Sequence, residues 1–152
     1  MISYKHTQTG YLILFTILAL IVFYVRLYTI ISTEIGSNFV IVALMFMVLF
    51  ILASFVTLKV TIDENYVRIK FGYGIFRKKF PIKEMVSVKT VKNHWYYGWG
   101  IKIWFWPYMR IYNVSGFDAV EITMKNGRIY RIGTDEPDEL EIAIKRNIIS
   151  NQ

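Results

Sequence analysis

The chain of 152 residues contains no cysteine and only two histidines, three prolines and nine glycines. Without cysteine there are no disulfides, no thiolate metal sites and no thiol nucleophile. His6 and His94 are far apart in sequence, so no histidine-rich metal cluster is expected. Ser87, Ser115, His94 and Asp118 can be drawn as a triad, but no G-x-S-x-G or comparable nucleophile setting accompanies them. Gly72-Tyr73-Gly74 and Gly98-Trp99-Gly100 do not join a strand to a following helix, as a phosphate-binding loop requires. These absences argue against an enzyme and against any cofactor or metal.

Charge is scarce in one region. Residues 11–25 are uncharged and apolar, continuing to residue 31 past Arg26, and residues 39–58 form a second run of 20 residues with no charge. As a helix at about 1.5 Å per residue, the second run would cover about 30 Å, the thickness of a bilayer's hydrocarbon core. No small-residue cleavage pattern follows the first run, which speaks against a signal peptide. The expectation is a transmembrane helical hairpin over residues 1–58, with helices at about 11–31 and 39–58 and a turn at residues 32–38 containing Ile35-Gly36-Ser37-Asn38. Arg26, flanked by Tyr24 and Tyr28, would snorkel to the outer interface.

Lys5 precedes the first run and Lys59 follows the second, with only Glu34 charged between Arg26 and Lys59. By the positive-inside tendency both termini are expected in the cytoplasm, in a multi-pass protein of the inner or plasma membrane. From Lys59 onward, sixteen Lys/Arg against ten Asp/Glu give about +6 of the total +7. A basic excess suits nucleic acid or an anionic membrane surface. No nucleic-acid-binding motif is present, so nucleic acid is not expected as a partner.

Residues 59–152 read as a separate, strand-rich cytoplasmic domain. Val67, Ile69 and Phe71 alternate with Arg68 and Lys70, so apolar and basic residues occupy opposite faces of a strand. Further strands are expected at residues 58–62, 75–80, 85–91, 119–125 and 128–132, the last two flanking Asn126-Gly127, a strong hairpin signal. The period then changes. Acids and Pro137 precede Leu140, Ile144 and Ile148, which recur every four residues as the apolar stripe of a helix.

This series, with Tyr112-Asn113-Val114-Ser115-Gly116 leading into Ala119-Val120-Glu121-Ile122 and Gly133-Thr134-Asp135-Glu136-Pro137 before the helix, resembles the bacterial pleckstrin-homology-like domain family, many members of which carry two N-terminal membrane helices. The resemblance implies a bent, seven-stranded antiparallel sheet or barrel capped by a C-terminal helix. It also implies a binding or scaffolding module rather than a catalyst.

Two clusters stand out as candidate sites. Arg68, Lys70, Arg77, Lys78, Lys79 and Lys83 form a basic group close after the membrane segment, suited to anionic lipid headgroups. The plain alternative is a solvated strand face. All four tryptophans, Trp95, Trp99, Trp104 and Trp106, fall within one aromatic stretch. Such rings suit a bilayer interface or a partner protein, and equally the packing of the domain itself. The expected function is therefore a membrane-bound binding or scaffolding domain with a protein partner or a second copy of itself. Anionic-lipid recognition is the alternative.

Overall fold

The computed structural model describes residues 2–34 and 39–150; of the turn expected at residues 32–38, residues 32–34 belong to the first helix and residues 35–38 lie outside the described ones. The chain runs β1 (Ile2–Thr9), α1 (Tyr11–Glu34), α2 (Phe39–Ala53), β2 (Thr57–Asp63), β3 (Tyr66–Phe71), β4 (Arg77–Pro81), β5 (Met85–Lys92), β6 (Gly100–Phe105), β7 (Tyr108–Asn113), β8 (Asp118–Met124), β9 (Ile129–Gly133) and α3 (Pro137–Ile149). Short 3-10 turns at Ile82–Glu84 and Trp95–Tyr97 precede β5 and β6. The strands form a four-stranded sheet, β1-β2-β3-β4, and a five-stranded sheet, β5-β8-β9-β7-β6.

The alternation on β3 does what its sequence requires: Val67, Ile69 and Phe71 are buried while Arg68 and Lys70 face solvent. Leu58, Val60 and Ile62 of β2 follow the same rule. Their inner faces meet Val120 and Ile122 of β8 and Ile132 of β9, and α3 closes the core with Leu140 and Ile144. Each such side chain, fully removed from water, contributes about 1.5–3 kcal/mol. A smaller cluster of Tyr97, Met109 and Ile111, with Trp104 and Ile129 against it, lies apart from the main core.

The architecture corrects the expected fold of two transmembrane helices and a seven-stranded antiparallel sheet. Among the described residues there are nine strands in two sheets, and β7 runs parallel to β9. β1 escapes sequence reading because its inward residues are Tyr4, His6 and Gln8, which give no apolar alternation. Gln8 is nonetheless buried, donating from Nε2 to the Ser115 carbonyl at 3.0 Å. Residues 93–114, too irregular to register from sequence, form the hairpin of β6 and β7.

The second apolar run is also divided. Its helix ends at Ala53, and residues 54–56 turn through Phe55 N–H to Leu52 O (3.0 Å) and Val56 N–H to Ala53 O (3.3 Å) before β2 begins. At 15 residues, α2 is about 22 Å long, short of a hydrocarbon core of about 30 Å. Among the described residues one helix is long and apolar enough to cross a membrane, over Tyr11–Ile30.

Two glycines hold the point where the helices meet the sheet. Gly10 donates to the Val56 carbonyl at 2.6 Å, and a Cβ there would lie 2.8 Å from Val114 O. Gly72, at φ +37°, lies so close to Ser54 that a Cβ would sit 2.5 Å from its carbonyl oxygen. Because β1 pairs with β2 from Thr9↔Thr57 onward, both helices spring from neighbouring strands of one sheet.

Candidate functional site

Strand register turns scattered basic residues into a surface. Thr7, Lys59, Lys70 and Arg77 stand in one cross-strand row, and Lys5, Thr61, Arg68 and Lys79 in the next. Directly opposed residues share a face, so Lys5, Lys59, Arg68, Lys70, Arg77 and Lys79 project from the side of the sheet away from the core. Asp63 pairs with Arg68 at 2.6 Å. Lys59 opposes Lys70, Lys70 opposes Arg77 and Arg68 opposes Lys79. Like charges set directly across a sheet are destabilising, so this face carries an electrostatic cost that an anionic partner would relieve.

The face bounds an open concavity of about 750 Å³ lined by Lys59, Thr61, Arg68, Ile69, Lys70, Arg77, Lys78 and Lys79. The row containing Lys59 lies two residues from the Thr9↔Thr57 pair where the helices depart, about 7 Å along the strands.

Of the six basic residues singled out by sequence, Arg68, Lys70, Arg77 and Lys79 belong to these rows. Lys78 opposes Ile69 and thus has the opposite phase, on the free edge strand β4. It lines a separate cleft of about 210 Å³ with Ile69, Phe71, Phe76, Ile101 and Tyr112. Lys83 sits in the turn after Pro81, at the end of β4 away from Arg77. Lys5 and Lys59 join the face, although sequence reasoning placed neither in the site. For Lys59 the signal lay in the alternation of residues 58–62, which pairs it with Lys70; for Lys5 it was the β1–β2 pairing, after which alternation alone assigns it.

The tryptophans do not form one platform. Trp104 packs on Tyr97 (ring centroids 4.9 Å) and donates from Nε1 to the Trp106 carbonyl at 2.9 Å. Trp99 is half-buried near the start of α1 and the end of α2. Trp95 and Trp106 are 75% and 91% exposed, and only these two offer a free surface. β6 is an edge strand, and Ile101, Ile103 and Phe105 along it are exposed.

Two polar groupings serve the fold. Glu121 accepts from Arg131 Nε at 2.8 Å and pairs with Lys89 at 3.1 Å, while Arg131 stacks over Tyr97. Burial acts to raise the Glu121 carboxyl's pKa, but the hydrogen bonds from Arg131 and Lys89 outweigh it and hold the group below its usual range. His6 lies between Asp135 (2.5 Å) and Glu136 (3.0 Å), and Tyr4 donates to Glu136 at 3.2 Å. Burial, then the adjacent Glu136 carboxylate, pushes the Tyr4 phenol upward. These contacts tie β1 to the start of α3. Ser87 does not join Asp118 as the hypothetical triad requires: Ser87 opposes Thr123 and Asp118 opposes Lys92, at opposite ends of the β5–β8 pair.

The chain matches no family model, no curated protein and no solved structure. The geometry of the cationic face therefore carries the functional argument.

Proposed function

We propose that this chain is a membrane-attached, non-catalytic binding module whose four-stranded sheet engages the anionic phosphates of a leaflet. α1 and the shorter α2 act together as an apolar arm that enters the bilayer from the side on which the sheets lie. The observation that carries this reading is the two rows of cations beginning within two residues of the point where that arm leaves the sheet. Each cation near an anionic surface gains about 1 kcal/mol, within a Debye length of about 8 Å at physiological salt. The helical surfaces favour an apolar environment, since Phe15, Leu18, Val22, Phe46 and Phe50 are all more than half exposed. The positive-inside tendency would set the sheets on the cytoplasmic side of a cell membrane, together with both chain ends. From the pleckstrin-homology-like resemblance the proposal keeps only the notion of a binding module closed by a C-terminal helix.

The test is lysine acylation footprinting of the full chain in nanodiscs. Lys59, Lys70 and Lys79 are expected to be protected in phosphatidylglycerol discs and reactive in phosphatidylcholine discs, with protection lost at high salt. Equal reactivity in both discs would remove the proposal.

A second reading rests on a different observation. The unpaired β6 edge with Phe105 and Trp106 exposed beside it suits a protein partner or a second copy of this chain. A photo-reactive residue at Trp106 that yields no protein adduct in cells would eliminate it.

A further inference from the structure

We infer that the cavity between the foot of the helical arm and β6 holds a single phospholipid drawn from the surrounding leaflet. The inference rests on the membrane reading above but uses different residues from the cationic sheet face. The cavity, about 500 Å³, is lined by Leu12, Ile13 and Thr16 of α1, Leu52 of α2, Phe55, and residues 98–102. One wall is therefore hydrocarbon from the two helices, and the other is a loop and strand whose polar side-chain groups are the Trp99 N–H and the Lys102 ammonium. That division matches the two chemistries of a glycerophospholipid, an acyl chain joined to an esterified phosphate.

Two groups on the polar wall lack partners of the kind such a lipid supplies. The Trp99 indole N–H is buried with no acceptor. An unsatisfied buried donor is costly, and an ester or phosphate oxygen seated beside the ring would relieve it after a small rotation. Lys102 is exposed and has no carboxylate partner among the described residues. Across the sheet from it stand Ile111 and then the cation Arg131, and the carboxylate beyond them, Glu121, is already held by Arg131 and Lys89. Its Cε lies 3.8 Å from the place a Gly98 Cβ would occupy, which folds the chain back toward the Trp99 loop. Gly98 (φ +65°) and Gly100 (φ +96°) let the backbone turn sharply on either side of Trp99. The phosphate belongs at Lys102, the ester oxygens at Trp99, and one acyl chain along Leu12, Leu52 and Phe55.

The full chain, purified in detergent and titrated with dioleoyl phosphatidylglycerol, provides the test by native mass spectrometry. Wild type is expected to fill one lipid site ahead of all others. Trp99→Phe, which keeps an apolar ring but removes the N–H, and Lys102→Gln should each weaken that first site about tenfold. The variant Lys125→Gln, in the turn between β8 and β9, should leave it intact. The melting temperature of each variant in the same detergent separates lost binding from lost folding. The site is overturned if wild type shows no preferred first lipid, or if both variants bind like wild type. Loss with Lys102→Gln alone also overturns it, because the indole then has no part in binding. Footprinting of the sheet face can fail while this site survives, and the reverse, so the two ideas fall separately.

Discussion

Lys59 and Lys70 face each other directly across the β2–β3 pair, like charge against like, with a third cation, Arg77, opposite Lys70 on its other side. Optimised for folding alone, a sheet would alternate these charges. The arrangement leads to opposite expectations for stability and for binding.

Replacing Lys70 with Thr should stabilise the protein by about 0.5 kcal/mol at low salt, since two like-charged cross-strand contacts disappear and a good strand former replaces them. The same variant should partition less strongly into anionic membranes. Chemical denaturation at low and high ionic strength checks the first point, the gain shrinking as salt rises. A loss of stability at low salt would show that the rows are not under repulsion.

Glu121 governs a pH response. Its carboxyl is held below the ordinary value in the fold, so its contribution is fully present above the unfolded value of 4.5 and is lost as pH falls through the lower folded value. Thermal stability of wild type should therefore fall more steeply below about pH 4.5 than that of Glu121→Gln. At neutral pH that variant should be less stable by about 3 kcal/mol, because Arg131 is left half-buried without its counter-ion.

Gly72→Ala should cost about 2–4 kcal/mol, combining positive φ with a collision at the Ser54 carbonyl. The melting temperature should drop. Gly127→Ala, in open space at φ +75°, should cost about 1 kcal/mol, the strain of the backbone alone.

Ile144→Ala removes a fully buried side chain from the α3 stripe and should destabilise by about 2–5 kcal/mol. Ile142→Ala, on the exposed side of the same helix, should change stability by less than about 0.5 kcal/mol. Parallel denaturation curves of the two variants test whether α3 closes the core through the face described.

Much of the domain was legible where the physics is local. The alternation of Val67, Ile69 and Phe71, the Asn126-Gly127 turn between β8 and β9, and the four-residue spacing of Leu140 and Ile144 each announce a structure that neighbouring residues suffice to specify. What could not be read was set by distant partners. His6 and Gln8 look like loop residues until Asp135, Glu136 and Ser115 stand opposite them. Residues 54–58 look like the end of a membrane helix until Gly72 and Gly10 draw the backbone into a sheet. The cationic face was half visible: β2, β3 and β4 could be paired from sequence, which places Lys59 opposite Lys70, but Lys5 required a strand from the other end of the chain.

The pairing of β1 with β2 has a mechanical consequence. A stalk that leaves its domain through one flexible connection lets the domain swivel, but here the chain departs and returns through adjacent hydrogen-bonded strands, latched by Gly10 to Val56. Torque on the helices is transmitted straight into the sheet, so the charged rows keep one bearing toward whatever surface the helices enter.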